Sequence, residues 1–397
     1  MSYQRLHIKS FLKDAENSTV IDVRSPSEYN HGHIIGANNI PLFTDEERKL
    51  VGTAYKQESR EQAIKIGLDF FGPKMKQIVE EVEGLMSNRQ RTITNGQSAI
   101  GKDSGSQLHI ANCIFIYCWR GGMRSASIAW LLNLYGFRVA VLTGGYKAYR
   151  NHVLQTFSLP FPLKIIAGFT GSGKTEILHE LENNGEEIID LEKLASHKGS
   201  AFGNINMPAQ PTQEMFENLL AQELWLKSMG NRQYGIDDNK LALDNRQLAI
   251  KETHSPLITH HSPLWIEDES QRIGMVNIPP AFWLQIRQAP VYFFDIPFEE
   301  RLKHITEEYG DYNKKLLADS IMRISKRLGG LETKNALNYL EEGNISVCFS
   351  ILLKYYDKHY LKGLHNRNNL SSLLQKLPGI AVNPNNAAML NANSIPV

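Results

Sequence analysis

The chain has 397 residues, 42% of them hydrophobic and 21% charged, with a formal net charge of +1. That is ordinary globular composition at a length suited to two or three domains. No stretch reaches the roughly 18 consecutive apolar residues of a membrane span, and Met1 to Phe11 lacks the apolar core of a signal peptide. Three cysteines, Cys113, Cys118 and Cys348, form neither a disulfide framework nor a C-x-x-C pair, so a reducing, cytoplasmic compartment is expected. The near-neutral total leaves nucleic-acid binding open, because a local basic face can act on its own.

Val20-Ile21-Asp22-Val23-Arg24 reads as a short β-branched strand, with Asp22 and Arg24 as an ion pair beside a loop. Phe43 to Ile110 reads as an insertion. A helix starts at Asp45-Glu46-Glu47-Arg48, and Ile64, Leu68 and Phe71, then Met75, Ile78, Val79, Val82 and Met86, recur at helical spacing as a hairpin packed on a sheet. Ser87 to Gln107 reads as a surface loop.

Cys113 to Tyr117 is an apolar run of strand length, and Ala126 to Tyr135 is long enough for a buried helix. Between them stands Cys118-Trp119-Arg120-Gly121-Gly122-Met123-Arg124-Ser125. A thiol between a strand end and a helix start meets unpaired N–H groups and the positive end of the helix dipole. Such a field favours thiolate, the reactive form. Cys118, Arg120 and Arg124 are therefore the candidate chemical groups, with Gly121, Gly122 and Met123 as the loop cradle.

Ser158 to Pro162 is a proline-marked linker, placing a first domain at residues 1–157 and a second at 158–397. Leu163 to Ala167 reads as a strand and Glu176 to Glu182 as a helix. Between them, Gly168 to Thr175 is a full match to G-x-x-x-x-G-K-S/T. Gly168, Gly171, Ser172 and Gly173 would wrap a diphosphate or triphosphate, Lys174 would reach its end, and Thr175 could hold Mg²⁺. From the residues alone, a nucleoside triphosphate is the first expectation. Three further strands, ending at Asp190, near Glu267-Asp268-Glu269 and at Asp295, alternate with helices, as in a doubly wound parallel sheet. Asp190, Glu267 and Asp268 are candidate acids near the phosphate loop; no metal-ligand set is read. Gly230 to His261 reads as a polar insertion. The C-terminus reads as all-helical from Glu299, with Arg301 and Lys326-Arg327 as candidate phosphate or RNA contacts or solvated faces, and its Asn-rich end reads as disordered.

Two motifs flanking the thiol loop carry a resemblance. Asp22-Val23-Arg24 with Glu28-Tyr29, then Gly32-His33-Ile34 through Pro41, and Leu142-Thr143-Gly144-Gly145-Tyr146, resemble the opening and closing signatures of the rhodanese family, whose persulfide-forming cysteine falls at Cys118. The resemblance implies an α/β fold with a central parallel sheet. One departure stands out: Arg124 lies six positions after Cys118, one more than in the usual sulfurtransferase loop. C-x-x-x-x-x-R-S is also the cradle of tyrosine and dual-specificity phosphatases, although Tyr117 stands where those commonly carry histidine.

The rhodanese-like part followed by the P-loop, with Glu46 to Gln57, Asp190 to Ser200, Glu267 to Gly274 and Arg327 to Gly330, resembles the bacterial tRNA 2-selenouridine synthase family from about residue 5 to about residue 360. That resemblance implies an enzyme that replaces sulfur by selenium in wobble 2-thiouridine of tRNA through an S-geranyl intermediate. Its co-substrates would be geranyl diphosphate, held at the P-loop, and selenophosphate, attacked by Cys118 and held by Arg120 and Arg124. It implies tRNA as partner, a selenophosphate-supplying enzyme as a candidate second partner, a monomer, no membrane association, and Mg²⁺ as an optional cofactor. Two other readings stay open: a rhodanese-fold phosphatase or sulfurtransferase fused to a nucleotide-binding module, and a non-catalytic tRNA or nucleotide sensor.

Overall fold

The structure is a computed structural model and describes residues 3–96, 113–229 and 263–392. The expected polar insertion at 230–261 and part of the expected surface loop, 97–107, lie outside the described residues. The chain divides into two compact units, Met1–Gln155 with Glu217–Leu219, and Thr156–Phe216 with Leu220–Val397. Among the described residues no helix is long and apolar enough to cross a membrane.

The first unit is a five-stranded parallel sheet. Its strands are β1 (Gln4–Leu6), β2 (Thr19–Asp22), β3 (Asn38–Asn39), β4 (Cys113–Tyr117) and β5 (Arg138–Leu142), in spatial order β1-β5-β4-β2-β3. The central strands read as unbroken apolar runs because a parallel sheet is covered on both faces. β2 is shorter than the expected strand and stops at Asp22, which leaves Arg24 free to turn back. Helices α1 (Ile8–Ala15) and α2 (Pro26–His31) follow β1 and β2.

The insertion forms α3 (Asp45–Gln57) and α4 (Arg60–Gly96). Thr44 caps α3: its side chain accepts the Glu47 N–H, and the Glu47 carboxylate accepts the Thr44 N–H. Lys74 of α4 ion-pairs with the same Glu47 and ties the two helices together. Phe71, Ile78, Val79, Val82 and Met86 enter the core, as their spacing predicts, whereas Leu68 remains exposed. α4 runs through Pro73 and on to Gly96, so residues 87–96 are helical rather than loop. Helix α5 spans Met123–Tyr135, starting three residues before the apolar stretch that marked it, and α6 spans Gly145–Thr156.

The second unit has its own five-stranded parallel sheet. Its strands are β6 (Leu163–Gly168), β7 (Glu187–Ile189), β8 (Leu264–Glu267), β11 (Val291–Asp295) and β12 (Leu374–Pro378), in order β12-β11-β6-β8-β7. A small antiparallel pair, β9 (Arg272–Ile273) and β10 (Val276–Asn277), stands apart. Helix α7 spans Lys174–Asn183, so Lys174 and Thr175 lie inside its first turn rather than ahead of it. Five further helices are α8 (Leu191–Ala195), α9 (Gln213–Met229), α10 (Pro280–Gln288), α11 (Phe298–Tyr309) and α12 (Lys314–Leu328). They are followed by α13 (Gly330–Glu341) and α14 (Ile345–His365).

The expectation of an all-helical C-terminus is corrected by β12, which adds an edge strand beside β11. Leu377 on β12 and Ala387 and Leu390 beyond it are buried in the same cluster as Ile166, Phe294 and Trp265. Within the Asn-rich segment, residues 384–392 form two short helices anchored by these apolar residues, and residues 393–397 lie outside the described residues.

Candidate functional sites

The thiol loop leaves the C-terminal end of β4 and enters α5. Cys118 is nearly buried, and its Sγ lies 3.2 Å from the Ser125 hydroxyl, which also reaches the Gly122 carbonyl at 3.1 Å. A thiolate at Cys118 could take that hydroxyl as a donor. Met123, Arg124 and Ser125 form the first turn of α5, so the helix N-terminus faces the loop it closes. Arg120, Gly122 and Met123 are exposed and Gly121 is buried.

The closing signature holds this loop from behind. Tyr146 N–H donates to the Cys118 carbonyl at 2.8 Å, and Lys147 N–H to that of Trp119 at 3.0 Å. The fit allows no side chain: a Cβ on Gly145, at φ +59°, would stand 2.2 Å from the Cys118 carbonyl oxygen. A Cβ on Gly121, at φ +65°, would stand 2.5 Å from that of Leu142. Both glycines are thus required by close backbone approach.

The opening signature supplies the frame. Arg24 Nη2 meets Asp22 at 2.6 Å and the Gly32 carbonyl at 2.7 Å, while its guanidinium lies 3.8 Å from the Tyr146 ring centre; both charged residues are buried. They are a structural pair. Glu28 binds Arg124 and Arg48, each at 2.8 Å. Burial pushes the Glu28 carboxyl up, but Arg124, Arg48 and the Ser25 N–H outweigh this and hold it below the usual carboxylate range. Arg124 is therefore positioned by Glu28 at the loop's edge, a constraint that sequence spacing did not show. Tyr117 is wholly buried and its hydroxyl accepts the Ile34 N–H at 3.1 Å, a structural role.

In the second unit, the phosphate loop joins β6 to α7 as its motif requires. Gly171 and Gly173 have φ of +79° and +75°. The Lys174 ammonium donates to the Gly168 carbonyl at 3.3 Å. Ser172 Oγ is buried with no partner among the described residues. The loop opens on a cleft of about 820 Å³.

Glu267, at the end of β8, accepts the Thr175 hydroxyl through Oε2 at 3.3 Å, and its Oε1 is buried without a partner among the described residues. Carboxylate oxygens of Glu192, Glu267 and Glu269 lie within 4.8 Å of one another. Burial, then mutual repulsion, raises the pKa of all three. An all-oxygen donor set beside a phosphate loop fits Mg²⁺. Glu192 and Glu269 were not singled out from sequence, since they come from separate elements and only the fold joins them.

The other expected acids do different work. Asp190 caps α8 through the Lys193 N–H at 2.8 Å and meets His179 at 2.9 Å. Asp268, on the cleft wall, ion-pairs with buried Arg367 and accepts the Tyr360 hydroxyl at 2.7 Å. Arg301 is buried rather than on a solvated face: it grips Asp357 at 2.8 Å and donates to the carbonyl of Thr170 in the phosphate loop. On α14, Leu352 and Leu353 enter a core cluster, whereas Tyr356, His359 and Tyr360 line the cleft at the phosphate loop.

Comparison with known proteins agrees with this architecture. Residues 8–152 match the family model of the rhodanese-like domain, and residues 161–243 and 236–376 match that of the tRNA 2-selenouridine synthase AAA domain. The tRNA 2-selenouridine synthase of Bdellovibrio bacteriovorus is 32% identical over 395 residues, covering 89% of this chain and 90% of its own. Those of Shewanella frigidimarina and Shewanella piezotolerans are 31% and 33% identical, covering 89% and 86% of this chain and 90% and 87% of their own. On these matches, the chain belongs to the tRNA 2-selenouridine synthase family.

Proposed function

We propose that this enzyme of tRNA modification forms 2-selenouridine from wobble 2-thiouridine in two steps, alkylation at the P-loop and selenium delivery at the Cys118 loop. The observation that supports the reading is that one chain of this family carries both a thiol loop at a helix N-terminus and a P-loop whose motif suits a diphosphate.

In the first step the thiouridine sulfur attacks C1 of geranyl diphosphate. The C–O bond breaks and diphosphate leaves with its electron pair. Lys174, Ser172 and the loop N–H groups are the donors placed to take that charge. Thr175, Glu192, Glu267 and Glu269 would hold Mg²⁺, which would neutralise diphosphate charge when bound. Alkylation turns the sulfur into a thiolate leaving group and makes C2 electrophilic. In the second step the selenium of selenophosphate attacks C2, the C–S bond breaks and geranylthiolate departs with its electron pair; water then cleaves the P–Se bond, leaving 2-selenouridine and releasing phosphate. Arg120, Arg124 and the α5 N-terminus would bind the phosphate portion, and Cys118 would serve the transfer.

The reading predicts an asymmetric pattern. Cys118→Ala should accumulate S-geranyl-2-thiouridine, and Lys174→Ala should leave 2-thiouridine. Pre-geranylated tRNA should restore selenation to Lys174→Ala but not to Cys118→Ala. Plain thiouridine from both variants, without rescue, would contradict the division of labour. Phosphate release from phosphopeptides by the intact chain would favour the phosphatase reading instead.

A further inference from the structure

The first unit carries a second cavity, of about 910 Å³, between α3, α4 and α5. Its walls are almost wholly apolar: Val51 of α3, Ile64, Leu68 and Phe71 of α4, and Trp130 of α5. Leu68 is 55% exposed, Met123 48% and Trp130 48%, so large apolar side chains are held open to solvent here. A patch of this kind marks a binding site more often than a core defect. The size lies within the range of small-molecule sites.

Two observations restrict the occupant. The cavity reaches the thiol loop: Met123 and Arg124 line it, and the next residue, Ser125, touches Cys118 Sγ. Its rim is cationic, with Lys49 and Lys56 exposed on α3, and with Arg48 and Arg124 sharing the single carboxylate of Glu28. An apolar floor under a basic rim fits a hydrocarbon chain attached to a polyanion. If each carbon takes about the volume of a water molecule in the liquid, roughly 30 Å³, ten carbons need about 300 Å³. The cavity holds such a chain with space for its branches.

We infer that this cavity receives the geranyl chain of the S-geranylated nucleoside while the nucleoside stands at the Cys118 loop, and that α3 and α4 are the specificity element of the selenium step. The inference rests on the alkylation reading above. Grip on the chain would distinguish alkylated from unalkylated thiouridine, which an anion cradle alone cannot do.

Gly52 supplies the test. It lines the cavity, and a Cβ built on it meets nothing within 4 Å. Leucine also favours a helix more than glycine does. Gly52→Leu should therefore fill the cavity from a helix that still forms, with Tm as the check. The full-length chain is given selenophosphate and tRNA carrying either S-geranyl- or S-methyl-2-thiouridine. Wild type should show a KM for the S-geranyl tRNA at least about tenfold lower, the order expected from burying two or three methylenes. Gly52→Leu should raise the S-geranyl KM by about tenfold or more and erase that preference. Leu68→Ala should raise it in the same direction. Equal KM values for the two thioethers in wild type, or an unchanged preference in a folded Gly52→Leu, would overturn the inference while leaving the two-step reading intact. Failure of wild type to selenate S-geranyl tRNA at all would remove the two-step reading itself. A wild-type dimer that Gly52→Leu dissolves would also overturn the inference, by placing a second copy of the chain in the cavity.

Discussion

Replacing Gly145 by alanine tests whether the closing signature exists to seat the thiol loop. At φ +59° an alanine pays roughly 1–2 kcal/mol for left-handed backbone. More important is what its Cβ meets: the Cys118 carbonyl oxygen at 2.2 Å, the Gly121 nitrogen at 2.5 Å and the Arg120 nitrogen at 2.8 Å. All three are loop backbone, so no side chain can swing aside. Restoring ordinary contact moves the loop by about 1 Å, and a misplacement of that size costs on the order of 10²-fold in rate, about 2.7 kcal/mol of barrier. Gly144→Ala is the control. It has a similar φ, +78°, but its Cβ meets only Ala148, at 2.9 Å to Cβ, on α6. Both variants should share the backbone cost in Tm. Only Gly145→Ala should lose about 10²-fold in single-turnover selenation of pre-geranylated tRNA, and its geranylation should persist. Equal selenation by the two alanine variants would refute the claim that Gly145 sets the loop's position.

Three further outcomes follow from packing and charge. Arg24→Met leaves the Asp22 carboxylate buried without its guanidinium and should destabilise the first unit by about 3–5 kcal/mol in urea unfolding; a change below about 1 kcal/mol would show the pair to be dispensable. Leu377→Ala should cost the second unit about 2–5 kcal/mol, because Leu377 is 2% exposed in the core under β12. A wild-type urea midpoint would mean that the tail is not part of that core. The pKa values of Glu192, Glu267 and Glu269 are raised on folding, so their contribution favours the folded state below the unfolded carboxylate range and is lost as pH rises through the raised values. Without divalent cation, Tm should therefore fall from pH 6 to pH 9, and Glu267→Gln should flatten the fall. A steeper fall in that variant would reverse the sign assigned to the cluster.

How much the sequence disclosed depended on how local each signal was. Ile114 to Tyr117 and Val291 to Phe294 are apolar runs bounded by turns, and each is an interior strand. The phosphate loop was legible because its function requires glycines, lysine and threonine at fixed spacing. β12 was not, because Leu374-Gln375-Lys376-Leu377-Pro378 has only two widely spaced apolar residues and ends in proline, as an edge strand can. The early start of α5 was hidden because Arg124 and Ser125 interrupt the apolar pattern. Glu28 as the partner of Arg124, the Glu192–Glu267–Glu269 cluster and the apolar cavity are all assembled from separate elements. Each becomes visible only after folding.

The most direct measurement is the 2-selenouridine content, by mass analysis of wobble nucleosides, of tRNA from cells that lack this chain and are complemented with it. The account predicts that the wild-type chain restores 2-selenouridine, that Cys118→Ala gives S-geranyl-2-thiouridine in its place, and that Lys174→Ala gives 2-thiouridine alone. Full 2-selenouridine in the uncomplemented cells, or in cells carrying either variant, would contradict it.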